Sequence, residues 1–99
     1  MTLRGEPVEV GATLPDGRSV TVRVGVPDDS YVARRELATV DVELFEDGRA
    51  LAAVGTILDP EQTSEARELA RQIAAGLEQG TIEPTAGAIE PYVDRPRSV

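Results

Sequence analysis

Pro7-Val8-Glu9-Val10-Gly11-Ala12-Thr13-Leu14-Pro15-Asp16-Gly17-Arg18-Ser19-Val20-Thr21-Val22-Arg23-Val24-Gly25-Val26 holds two alternating runs on either side of a turn. Val8, Val10 and Ala12 alternate with Glu9, Gly11 and Thr13. Val20, Val22, Val24 and Val26 alternate with Thr21, Arg23 and Gly25. A period of two marks strands with one buried face, so the stretch predicts a β-hairpin. The loop length decides its register. A two-residue Asp16-Gly17 turn would set Val24 against Glu9 and Val22 against Gly11, with the valine sets on opposite faces. A three-residue Pro15-Asp16-Gly17 loop sets Val24 against Val8, Val22 against Val10 and Val20 against Ala12, with Arg23 opposite Glu9 on the other face. Pro15 suits the first loop position and Gly17 the left-handed one. A slip of one residue would flip every side chain, so the three-residue loop is the prediction.

A second hairpin is predicted from Thr39 to Leu58. Val40, Val42 and Leu44 alternate with Asp41 and Glu43, and Glu46-Asp47-Gly48-Arg49 forms the turn. The fourth strand, Ala50 to Leu58, carries no charge over its whole length and is apolar on both faces. Its register stays open. A two-residue turn matches Leu51, Ala53 and Ile57 to the valine face; a three-residue turn matches Ala50, Ala52 and Val54. Between the hairpins, Pro27-Asp28-Asp29-Ser30 ends the first. Tyr31 to Leu37 reads as a short helical turn or an irregular crossing, with Arg34-Arg35 the one adjacent basic pair.

A helix is predicted over Asp59 to Gln79. Asp59 suits the N-cap and Pro60 the first helical position. Ala66, Leu69, Ala70, Ile73, Ala74 and Leu77 fall on one stripe, and Gly80 is the expected stop. Gly76, inside the helix, costs about 1 kcal/mol against Ala, and either permits the close approach of a neighbour or has no role. Thr81 to Val99 contains Pro84, Pro91 and Pro96, which argue for extended chain rather than helix. Its apolar residues Ile82, Ile89, Tyr92 and Val93 predict order from Ile82 to Val93 and a loose stretch from Asp94 to Val99. The architecture expected is therefore α+β: a four-stranded antiparallel sheet of two hairpins, one amphipathic helix on one face and an extended, proline-containing C-terminal tail. Residues 1–80 form a single domain and residues 81–99 the tail; 99 residues suit one domain, not two.

The composition excludes whole classes of chemistry. The chain has no Cys, His or Lys. That removes disulfides, thiolate nucleophiles, imidazole acid–base catalysis, Schiff bases and the Walker lysine. Ser30, Ser64 and Ser98 have no histidine to activate them. Net charge is −8 and the ten Arg are scattered, so no basic patch offers itself to a phosphate backbone and nucleic acid is not an expected partner. Neither a signal-like segment nor an apolar run long enough to span a membrane is present, and the cytoplasm is the expected compartment. Lys and Asn are absent while Ala, Gly, Val and Arg are common, a GC-rich coding bias that points to a bacterium.

The remaining side chains give no catalytic, cofactor or metal assignment. Asp41 and Glu43 share a strand face about 7 Å apart. Paired carboxylates can do acid–base work or hold a divalent cation, but solvent-facing partners of Arg23 or Arg49 are the plainer reading. Asp28-Asp29 is a turn signal, and no Asp-Gly pair sits in a calcium loop. Arg34-Arg35 balances nearby acids.

One helix covers about 10 Å of width, whereas four strands at ~4.8 Å spacing span nearly twice that. The Tyr31–Leu37 segment, the tail or a second copy must cover the rest. With a fourth strand apolar on both faces, the expectation is a non-enzymatic homo-oligomeric binding or adaptor protein, a homodimer. Its interface would draw on Ala52, Ala53, Val54, Ile57, Ile89 and Tyr92. The alternatives are a small-molecule binding protein or carboxylate-dependent enzyme with a pocket between sheet and helix, and a protein-recognition module that uses its extended tail.

Overall fold

The computed structural model of the protein describes residues 6–26, 40–56, 58 and 60–94. The alternating runs form strands β1 (Val8–Thr13), β2 (Ser19–Gly25), β3 (Asp41–Glu46) and β4 (Arg49–Gly55), followed by helices α1 (Thr63–Gln79) and α2 (Ala86–Asp94). The strands make one antiparallel sheet in the order β1-β2-β3-β4. The fold is α+β, as the alternation followed by a 3.6-residue stripe dictates.

The first hairpin has the predicted register: Val8 opposite Val24, Glu9 opposite Arg23, Val10 opposite Val22 and Ala12 opposite Val20. The ladder closes with the Leu14 N–H donating to Arg18 O at 2.8 Å, which leaves Pro15-Asp16-Gly17 as the loop. Gly17 has φ 94, the left-handed backbone this loop needs. Asp16 Oδ1 accepts the Arg18 N–H at 3.1 Å and braces the turn.

The second hairpin uses both registers. At the turn, Asp47 and Gly48 both have positive φ, 53 and 78, as a two-residue turn matched to strand twist requires. Glu46 then faces Arg49, and Phe45 faces Ala50. Beyond a bulge the pairing shifts by one, to Leu44 opposite Ala52 and Val42 opposite Val54. Leu51 is the extra residue. Ala52 and Val54 thereby join Val42 and Leu44 on the core face, and Ala53 points to the other side. Strand β4 ends at Gly55 rather than Leu58. The Thr56 hydroxyl donates to Val40 O at 2.7 Å and accepts the Leu58 N–H at 3.1 Å, turning the chain off the sheet.

Helix α1 begins at Thr63, four residues later than expected, and the proposed cap Asp59 and the segment Tyr31–Leu37 lie outside the described residues. Pro60 and Glu61 form a turn instead. Pro60 is buried in that turn, and the first buried member of the stripe is Ala66. Ala66, Ala70, Ile73, Ala74 and Leu77 are buried, as their spacing predicts. Gly80 stops the helix in the left-handed conformation. The Thr81 N–H donates to Gly76 O at 2.9 Å and the Gly80 N–H to Leu77 O at 3.3 Å, a Schellman closure.

The tail departs from the extended conformation that its prolines predict. After Ile82 to Thr85, residues Ala86–Asp94 form α2 with Pro91 inside it. Three features outweigh the proline. Thr85 caps the start, its Oγ1 accepting the Ala88 N–H at 3.2 Å. Ala88, Ile89, Tyr92 and Val93 repeat at helical spacing, with Ile89 and Val93 buried. Pro91 itself is exposed. The bond it cannot donate would go to Gly87 O, one turn back, and a nine-residue helix loses little ladder beyond it.

The core lies between one sheet face and these two helices. Val20, Val22, Val24, Val40, Val42 and Leu44 meet Ile73, Leu77, Ile82, Ile89 and Val93 in one cluster. Helix α1 lies over β1 and β2, and α2 lies against β4.

Candidate functional site

Among the described residues, those proposed for an interface do not form one surface. Ala52 and Val54 are half-buried on the core face of β4, and Ala53 is exposed on the opposite face. Ile89 is fully buried inside its own chain and Tyr92 is half-buried against the same core. Ile57 lies outside the described residues. The spacing that placed Ile89 and Tyr92 in a tail also fits a helix, and there they cover the chain's own sheet. The width that α1 leaves bare is thus covered in part by α2, without a second copy.

Charge is carried in pairs, around Arg23 on the outer face and between Arg18 and Glu46 on the core-face side near the hairpin turns. Arg23 stands between Glu9 and Glu43 in register, 3.7 Å from Glu9 Oε2 and 6.0 Å from the centre of the Phe45 ring. Arg18 holds both oxygens of Glu46, at 2.7 and 2.9 Å. That hydrogen-bonded guanidinium pulls the Glu46 carboxyl below its ordinary range. Asp41 stands between Gly25 and Gly55 in the ladder, and burial pushes its carboxyl upward. Asp41 and Glu43 share the face as alternation requires, but Glu43 lies across from Arg23 and Asp41 does not. Among the described residues, no group of three acidic side chains is arranged to hold a metal.

A cleft of about 240 Å³ opens between the first hairpin turn and the α1–α2 connection, lined by Leu14, Pro15, Leu77, Ile82 and Pro84 with Arg18 at its rim. Cavities that enclose small molecules run to roughly 300–1,000 Å³, and the Arg18 guanidinium is already committed to Glu46.

The two sheet edges differ. In β1 the closing bond from Leu14 to Arg18 sets the alternation, so Ala12 and Val10 bond inward to β2 and Glu9, Gly11 and Thr13 direct their backbone groups outward. The outward Thr13 N–H is taken by Glu78 Oε2 of α1 in a long bond of 3.4 Å, and Glu9 adds a charge to the same edge. In β4 the positions past Arg49 carry no charge, and Ala50, Ala53 and Gly55 are exposed. Sequence reading found the neutral strand but not the guard on β1, because Glu78 and Thr13 are 65 residues apart. Among the described residues, no helix is long and apolar enough to cross a membrane. Compared with known protein families, curated proteins and solved structures, the chain matches none.

Proposed function

We propose that this protein is a non-enzymatic binding or adaptor domain that works as a homo-oligomer, in the cytoplasm of a bacterium. The observation that carries the reading is the asymmetry of the sheet edges. An unguarded edge offers a row of backbone donors and acceptors to another strand, and proteins blunt edges not meant to pair with charge, proline or a covering element. Here Glu9 and Glu78 attend β1, while β4 holds Ala50-Leu51-Ala52-Ala53-Val54-Gly55 without a charge. On a chain of net charge −8, this neutral strand is where a second acidic chain meets least repulsion. The absence of Cys, His and Lys from the sequence supports binding rather than catalysis. Light scattering tests the reading: at high protein concentration the mass should be about twice 10.5 kDa, and the dimer fraction should rise with salt as like charges are screened. A particle of single-chain mass under all these conditions removes it.

A further inference from the structure

We infer that two copies of this chain join antiparallel along β4 with Val54 at the two-fold axis, making one continuous sheet of eight strands from two of four. The inference rests on the self-association reading and adds to it a surface, a direction and a register.

Backbone direction comes first. The Thr56 N–H donates to Val40 O at 2.9 Å, so Thr56 faces β3. Along a strand the facing alternates. Val54 and Ala52 therefore also bond to β3, opposite Val42 and Leu44. Ala53 and Gly55 direct their N–H and C=O groups away from the sheet, and no described residue bonds to them. Both are exposed, and both are too small to obstruct an incoming backbone.

Symmetry then limits the register. A two-fold interface places the same strand on both sides, residue i against j and j against i. The core faces of both sheets must fall on the same side, so each residue must meet one of its own face. Only an axis through a residue satisfies both conditions. An axis through Ala53 would set the bulged Leu51 opposite Gly55, where the strand is irregular. An axis through Val54 uses only the regular run Ala52 to Thr56. It pairs Ala53 with Gly55 twice, each pair exchanging two backbone hydrogen bonds, and brings the half-buried Val54 side chains together over the core face. The other edge fails the same test, since Glu9 and the engaged Thr13 N–H sit where β1 would have to pair.

The chain has no cysteine, so a single introduced thiol reports one contact. Residues facing each other in a non-hydrogen-bonded antiparallel pair have Cα atoms about 4.5 Å apart, within disulfide reach, whereas the diagonal neighbours lie at roughly 7–8 Å, beyond it. Under mild oxidation Val54→Cys should convert most of the protein to a disulfide-linked dimer on a non-reducing gel, and Ala53→Cys should not. Ala53→Pro removes one outward donor without touching the β3 ladder, so it should scatter light as a monomer while keeping the wild-type circular dichroism. A crosslink through Ala53→Cys with none through Val54→Cys overturns the Val54 axis. A dimeric wild type in which Val54→Cys does not crosslink and Ala53→Pro stays dimeric overturns the β4 interface but leaves self-association standing. A wild type that is monomeric at every concentration takes away both.

Discussion

Ile82 fills the notch that Gly76 leaves in α1. A methyl group built at position 76 would lie 2.5 Å from Ile82 Cγ1 and 3.3 Å from its Cβ. Ile82 is 4% exposed, and its β-branch allows it little retreat. The same glycine accepts the Thr81 and Ile82 N–H groups through its carbonyl, at 2.9 and 3.1 Å. The missing side chain and the carbonyl together fold the tail back under the helix. Gly76→Ala should therefore lower the melting temperature, although alanine favours the helix by about 1 kcal/mol. Overpacking of a buried site costs typically 1–3 kcal/mol, and it outweighs that gain. Ile82→Ala alone should also destabilise, by cavity formation. The double variant should lose less than the two singles summed, because the alanine methyl occupies part of the space the isoleucine vacates. Simple additivity in denaturant titrations would show that the two residues do not share that space.

Gly17 needs its freedom for a different reason. A Cβ there would meet nothing within 4 Å, yet φ is 94. Gly17→Val is expected to cost about 1–2 kcal/mol through backbone strain alone. Gly17→Asn should cost clearly less, since Asn tolerates positive φ. Equal losses for the two variants, read from urea midpoints, would mean that conformation is not the cause.

The tail is the next test. Ile82, Ile89 and Val93 are all buried in the common core, and burial of each contributes roughly 1.5–3 kcal/mol. A chain ending at Gly80 should melt well below the full chain, by several degrees or more, and bind a hydrophobic dye. Asp94, expected to open a loose stretch, is the last residue of α2, and residues 95–99 lie outside the described residues. Pro91 is exposed inside α2, so Pro91→Ala should raise stability by about 1 kcal/mol, the net worth of the one bond it restores to Gly87 O. No gain from that substitution, measured by thermal melts, would mean that α2 does not persist as a helix in solution.

Local rules made most of the sheet legible. The first hairpin could be read to the residue because valines on both arms, Pro15 and Gly17 agree on one register. The second hairpin could not, since Ala50 to Val54 offers apolar side chains to either face and the bulge at Leu51 lets each register hold for part of its length. Pro91 masks the helical spacing of Ala88, Ile89, Tyr92 and Val93, because a helix-breaking residue argues locally against a pattern that only tertiary packing rewards. The proposed interface was the least legible part. Its residues share apolar character and no more, and the fold spends Ile89 and much of Tyr92 on its own core. What distinguishes β4 from β1 is the reach of Glu78 to Thr13 across the molecule, and no local pattern announces a contact that depends on how α1 lies over the sheet.

Two carboxylates of β3, Asp41 on the outer face and Glu46 on the core-face side at the strand's end, should answer to pH in opposite directions. Burial raises the Asp41 pKa above the ordinary aspartate value of 3.8, so the fold prefers the protonated acid. That contribution is fully present below the unfolded pKa and is lost as pH rises through the folded one. At neutral pH the charged Asp41 is a burden, and Asp41→Asn should raise the melting temperature at pH 7 while giving no gain below about pH 3, where both states are protonated. Glu46 behaves the other way. Its hydrogen bonds from Arg18, and then the attraction of that charge, lower its pKa beneath the ordinary glutamate value of 4.5. The stability this supplies is present above 4.5 and disappears as pH falls through the folded value. Glu46→Gln should therefore lower the melting temperature at pH 7, and the difference should close in acid. Both groups are partly open to solvent, so the shifts should be small, and their signs are the test. Melting curves from pH 3 to pH 7 on the two variants and the wild type separate the contributions. If Asp41→Asn melts lower than wild type at pH 7 but not at pH 3, the Asp41 carboxylate makes a favourable charged contact in the fold, and burial is not what governs it.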